Sequence, residues 1–211
     1  MAIVLVRKFH IGYAGATLPV LAIRERQPNM SIQKKKTELA LLMCLDEKEK
    51  AEIKKMINID VVSENNLWSK KIKKPDIFFN FLVQFFPKKY SFIKNKVSLT
   101  ILLSNNKNIK KLNKKFRKKN KPTDVLSFPF QKKLNSNKEI YLGDIIISYE
   151  FMNITKFLTN LEFQEKVSKI FIHGFLHLLG YDHVKLKDFK KMNIEELKIY
   201  NFISKKIEKF N

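Results

Sequence analysis

One short run limits this chain more than any other: His173-Gly174-Phe175-Leu176-His177-Leu178-Leu179-Gly180-Tyr181-Asp182-His183. Three of the four histidines fall within these 11 residues. Upstream, Thr159 and Glu162 form a capping-box pattern, which predicts a helix from Asn160 to about Leu179 that Gly180 ends. On that helix His173 and His177 stand one turn apart on one face, so their imidazoles can converge on a single ion. Gly180 lets the chain turn back, and His183 then supplies a third nitrogen from the loop. Three neutral imidazoles suit Zn²⁺ and leave a fourth position for water or substrate, as a catalytic site needs. His10, far upstream, has no such companions.

The rest of the chain has to build a body around that helix. From Met56 onward, Ile57, Ile59 and Val61 alternate as an opening strand would. Pro75 opens an apolar stretch, Ile77–Phe86, that suits a buried helix closed by Pro87. Val97, Leu99, Ile101 and Leu103 mark a second strand. Ser104-Asn105 then caps a helix whose stripe is Ile109, Leu112 and Phe116, with lysines on the wet side and Pro122 as its stop. Val125–Phe130 and Ile140–Ile147 read as two further strands. The capped helix buries Phe163, Val167 and Ile170, and a final helix carries Ile199, Ile203 and Ile207. The expected fold class is α+β: a small mixed β-sheet packed with several α-helices, with the zinc site at the end of a helix.

Residues 1–55 read differently. They hold three of the four arginines (Arg7, Arg24, Arg26) and the single cysteine, Cys44. Residues 32–55 have an amphipathic helical pattern that becomes heavily charged after Leu45. The apolar run Ala2–Val6 is too short for a secretory signal and ends at Arg7-Lys8. We expect an N-terminal extension over 1–55, or an upstream start codon, ahead of a functional domain over 56–211. One cysteine excludes a disulfide framework and a Cys-rich zinc module. No apolar run approaches the roughly 18 residues that span a bilayer. The formal net charge of +22 directs such a chain to a polyanion, whether RNA, DNA or an anionic membrane surface. Most of that charge is interchangeable lysine. Beyond residue 26, Arg117 is the one arginine, at a position where a planar guanidinium can do what an ammonium cannot.

The histidine spacing equals that of zinc proteases of the pattern H-E-x-x-H-x-x-G-x-x-H. Gly174 stands where their general-base glutamate would be, which disfavours peptide hydrolysis and leaves metal binding intact. HGFLHLLGYDH instead resembles the signature H-G-x-L-H-L-x-G-Y-D-H of the YbeY family, bacterial endoribonucleases of rRNA maturation. Two more blocks agree. Leu112-Asn113 through Phe116-Arg117 to Pro122-Thr123-Asp124-Val125-Leu126-Ser127-Phe128-Pro129 is similar to the family's L-N-x-x-[YF]-R-x-x-x-x-P-T-[DN]-V-L-S-F-P. Leu142-Gly143-Asp144-Ile145 is similar to its L-G-D-[IV] strand. The likeness covers about 56–211, in order, and residues 1–55 have no counterpart in it.

The resemblance implies an α+β fold and one Zn²⁺ per chain, held by His173, His177 and His183. It implies cleavage of single-stranded RNA in the cytoplasm, in maturation of the 3′ end of 16S rRNA and in late ribosome quality control. The small ribosomal subunit or its proteins would be partners, and a membrane would not. The family's catalytic arginine falls on Arg117, whose planar fork can hold two phosphate oxygens as their charge grows. A zinc ion there would polarise one such oxygen or acidify a bound water. Attack by that water and attack by the 2′-OH both remain open. Asp182, Asp144 and Thr123 are candidates for a supporting role around the ligands. Lys114, Lys115, Lys118, Lys119 and Lys121, with Lys132 and Lys133, are candidates to track the RNA backbone. Two other functions fit the same residues: a non-catalytic ribosome-assembly factor with a structural zinc and, less well, a metalloprotease.

Overall fold

The computed structural model describes residues 57–90, 92, 96–130, 139–154 and 158–210. The expected extension over 1–55, its candidate helix, His10, Lys132 and Lys133 lie outside the described residues. In chain order the elements are β1 (Ile57–Ser63), α1 (Leu67–Lys71), α2 (Pro75–Gln84), a 3-10 turn (Lys88–Tyr90), β2 (Lys96–Ser104), α3 (Asn106–Arg117), β3 (Val125–Pro129), β4 (Glu139–Ser148), α4 (Tyr149–Met152), α5 (Asn160–Leu178) and α6 (Leu186–Phe210). The sheet runs β1-β2-β4-β3. β2 pairs in parallel with β1 and β4, while β3 pairs antiparallel with β4, so the sheet is mixed as expected.

Two apolar layers sandwich it. On one face Val97, Leu99, Ile101, Val125, Ile145 and Ile147 pack with residues of α2, α5 and α6. On the other, Leu102, Leu126, Phe128 and Ile146 meet Ile109, Leu112 and Phe116 of α3. This explains the lysine pattern of α3: one stripe is covered, and Lys110, Lys111, Lys114 and Lys115 stay exposed. That helix ends at Arg117, five residues before Pro122. Its terminator is Lys118 in a left-handed conformation (φ 59°), and its backbone N–H donates back to the Lys114 carbonyl. Asn105 caps its start by accepting from the Asn108 N–H, as the sequence indicates.

The alternation of β4 changes phase midway. Ile140 and Leu142 lean on the larger core, but beyond Gly143 it is Ile145 and Ile147 that enter it. The register with β2 slips at the same place, where Ser98 faces Tyr141 but Thr100 faces Asp144. One extra residue on β4 makes a bulge. Gly143 occupies it with φ 132°, and a Cβ there would stand 2.1 Å from the Phe128 carbonyl oxygen. Only glycine fits both constraints.

Helix α5 has the reciprocal capping box in full, with Thr159 accepting from the Glu162 N–H and Glu162 accepting from the Thr159 N–H. It is covered on two sides, by the sheet and by α6. Its buried stripe therefore passes through Phe163, Val167, Phe171 and Phe175, while the expected Ile170 is only half-buried. Trp68 and Tyr90 are core residues: the Trp68 indole N–H donates to the Ser104 carbonyl (3.1 Å) and its ring meets Tyr149 and Phe163 edge-on.

Candidate metal centre

The last two turns of α5 and the loop after it bring His173, His177 and His183 together, with one ring nitrogen from each within 4.8 Å of the others. Gly180 closes the helix with φ 87°, donating to the His177 carbonyl (3.0 Å), while the Tyr181 N–H donates to the Leu176 carbonyl (3.0 Å). This paired bonding is a Schellman stop, and it points the chain back along the helix. It also leaves the Tyr181 carbonyl 2.8 Å from His177 Nδ1. The turn that delivers His183 thus also fixes the His177 ring.

The hydrogen bonds decide which nitrogens are free for a ligand. His177 Nδ1–H donates to Tyr181 O, and His173 Nδ1–H donates to the Glu196 carboxylate (2.6 Å). With both Nδ1 hydrogens committed, each neutral ring keeps a lone pair on Nε2. Those two Nε2 atoms face each other at 2.9 Å. With no hydrogen on either Nε2, two lone pairs so close form a seat for a cation. In a tetrahedral zinc site with Zn–N of about 2.0–2.1 Å, ligand nitrogens stand about 3.3 Å apart. The donor set and its spacing therefore fit a metal ion. Burial pushes the His177 pKa down to about 4; the Tyr181 carbonyl opposes this, and the two neighbouring imidazoles add to it. His177 is consequently neutral, the form that binds metals, at any ordinary pH.

Among the described residues the metal-ligating cluster consists of these three histidines. Asp182 does not join it: its Oδ1 accepts from the His183 backbone N–H (2.7 Å) and shapes the loop. Asp144 lies elsewhere. The Gly143 bulge turns it to the α3 side of the sheet, opposite Phe128, where it accepts from Tyr141 Oη (2.5 Å). Thr123 sits two residues before β3 and donates to the Asp124 carboxylate. Glu196, a contact that the sequence did not flag, is the carboxylate bonded to the His173 ring.

Gly174 packs against the sheet. A Cβ there would lie 3.0 Å from Ile145 Cγ2 and 3.1 Å from Ser127 Oγ, and Ser127 Oγ donates to the Gly174 carbonyl (3.2 Å). The position that bears the base in zinc proteases is pressed onto β3 and β4, with no room for a carboxylate. Ser127 is accordingly a packing residue. Arg117 ends α3 half-buried, next to Phe116, whose ring meets Phe128 at 5.1 Å. Burial lowers the Arg117 pKa and the Asp124 carboxylate opposes that. The helices that carry Arg117 and the first two histidines, α3 and α5, pack on opposite faces of the sheet. Lys114, Lys115, Lys118, Lys119 and Lys121 are all exposed around Arg117.

A mixed sheet packed with helices, with three histidines at a helix end and its exit loop that could hold a metal ion, places the chain in the α+β class. The family profile described as Endoribonuclease YbeY matches residues 63–204, and the chain belongs to that family. It is 71% identical over 152 residues to Endoribonuclease YbeY of Pelagibacter ubique (strain HTCC1062), covering 72% of this chain and 99% of that protein. It is 36% identical over 144 residues to Endoribonuclease YbeY of Ehrlichia canis (strain Jake), covering 68% and 90%. The Endoribonuclease YbeY of Borrelia turicatae (strain 91E135) is 36% identical over 132 residues, covering 62% and 86%.

Proposed function

We propose that this chain is a zinc-dependent endoribonuclease specific for single-stranded RNA, acting on the 3′ end of 16S rRNA in the cytoplasm and in quality control of the small ribosomal subunit. The observation that carries the metal half of this reading is the pair of facing Nε2 lone pairs, held by Tyr181 O and Glu196. Family membership carries the RNA half. His173, His177 and His183 would hold the ion, which when bound supplies Lewis-acid polarisation of a phosphate oxygen or an acidified water. Arg117 would clamp the non-bridging oxygens through its planar fork, strengthening its grip as their charge increases. The exposed lysines around α3 would hold flanking phosphates, which makes binding fall steeply with salt. The domain performing this work would be residues 56–211. Gly174 offers no base for peptide hydrolysis, which separates the site from that of the proteases with the same spacing.

The test is purified protein on labelled single-stranded and duplex RNA, with His177→Ala and Arg117→Ala prepared identically. Cleavage should be confined to the single strand, abolished by a chelator and by His177→Ala, and restored by Zn²⁺. Arg117→Ala should lower the rate about 10²–10³-fold, as for loss of one preorganised transition-state donor. Cleavage undiminished in either variant would overturn the assignment. A wild-type chain that binds zinc and cuts no RNA would favour a non-catalytic assembly factor.

A further inference from the structure

We infer that Glu196 of helix α6 is the positioning residue of the metal centre, orienting His173 and setting the affinity of the ligand triad. The inference rests on the metal-site reading above and adds a residue to it. The Oε1–Nδ1 distance of 2.6 Å is that of a charge-assisted hydrogen bond. Its two side chains are 17% and 28% exposed, so water competes weakly for either partner. The carboxylate meets the ring at Nδ1, across from the Nε2 that faces His177, so Glu196 acts through His173 and is not itself a fourth ligand.

The two helix-borne histidines are therefore fixed by different means. His177 is held by a backbone carbonyl of its own turn, whereas His173 depends on a side chain 23 residues further along. The helix that carries that side chain is seated by several residues. Glu195 is buried on the other side of α6, where its Oε2 accepts from Tyr90 Oη (2.5 Å) and Lys89 Nζ (3.0 Å), and its Oε1 from Lys198 Nζ (3.2 Å). Met192, Ile199, Ile203 and Ile207 seat the same helix in the core. With α6 seated by these residues together, its rotation is fixed and Glu196 faces His173. A carboxylate on Nδ1 enriches the ring's electrons and holds it for Nε2 ligation.

Metal titration of the full chain against a competing chelator tests this, with visible absorption of the Co²⁺-loaded protein as a second readout. Glu196→Ala should weaken Zn²⁺ and Co²⁺ binding about 10–100-fold, as loss of such a hydrogen-bond partner generally does. It should also alter the Co²⁺ ligand-field bands. Glu196→Gln, which keeps an acceptor oxygen, should recover much of the affinity and a near-native spectrum. Glu195→Gln should lower the melting temperature of the metal-free protein and leave the affinity of the folded chain close to wild type. Tight binding by wild type with an unchanged affinity and spectrum in Glu196→Ala would overturn the inference alone. Equal weakening by Glu195→Gln would overturn it too, since α6 would then act only as scaffold. A wild-type chain that takes up neither ion would overturn the inference together with the metal reading.

Discussion

Gly174 lies between the histidine ligands, and its replacement by alanine is a measured push of helix α5 away from the sheet. The added Cβ would meet Ile145 Cγ2 at 3.0 Å and Ser127 Oγ at 3.1 Å, where ordinary carbon contacts start near 3.4 Å. Strands β3 and β4 both resist that push, because Ser127 and Ile145 are paired across them and fully packed. Overpacking of this kind costs about 1–3 kcal/mol. Alanine in place of glycine inside a helix returns about 0.8–1.0 kcal/mol. The expected balance is a loss of about 1 kcal/mol, which for a domain of this size lowers Tm by about 2–4 °C. Calorimetry of the metal-free protein reads it. Ser127→Ala removes one of the two obstructing groups, so Gly174→Ala should cost less in that background, by about 0.5 kcal/mol or more. A Gly174→Ala protein as stable as wild type, with no coupling to Ser127, would refute the claim that close approach to the sheet selects glycine here.

Other outcomes follow from the same geometry. Gly143→Ala should destabilise by ~3 kcal/mol or more in urea denaturation, because its Cβ would collide with the Phe128 carbonyl and its φ of 132° is barred to L side chains. Thr159→Ala should cost about 1 kcal/mol by removing the cap of α5, read in the same assay. Metal-free protein should lose stability on acidification in two windows. His177, neutral in the fold with its pKa near 4, favours the unfolded chain as pH falls from the ordinary 6.5 towards 4. Glu195, held near 2 chiefly by the Tyr90 hydroxyl, contributes stability above 4.5 that is lost as pH falls towards 2. Urea midpoints at pH 7 and pH 5 should therefore differ, and His177→Gln should flatten the difference. Zinc at about 100 times its Kd should stabilise the fold by about 2.7 kcal/mol, an increment that a chelator removes.

The histidine cluster was legible because every part of it is local: the turn spacing, the Gly180 stop and the capping box at Thr159 all lie within one helix and its exit. The first two strands were legible from alternation, the other two as apolar runs, and the mixed sheet from the order of the elements. What escaped was non-local. Glu196 meets His173 through helix packing, and one glutamate in a charged helix looks like any other from its sequence. Asp144 was a candidate to support the ligands or to be structural, and the bulge beside it turns it to the other face. Ile170 lost its place in the core because α5 is covered on two sides, which single-stripe periodicity does not describe. Pro122 was the obvious helix stop, yet Lys118 ends α3 by adopting a left-handed conformation, which lysine seldom signals. Short α1 and α4 are held by tertiary packing, with Trp68 meeting Tyr149 and Phe163 edge-on.

The bulge at Gly143 works as a parity switch in β4. Before it, even-numbered residues point to the larger core; after it, odd-numbered ones do. Counting by twos across residue 143 puts half the strand on the wrong side. Removing that single residue would restore simple alternation, with Leu142 facing Leu99 and Asp144 still facing Thr100. Ile145 and Ile147 would keep the core, and Asp144 would keep the α3 side. A chain one residue shorter at 143 would thus keep every β4 side chain on its face, whereas a deletion between Asp144 and Ile147 would turn Ile147 out of the core.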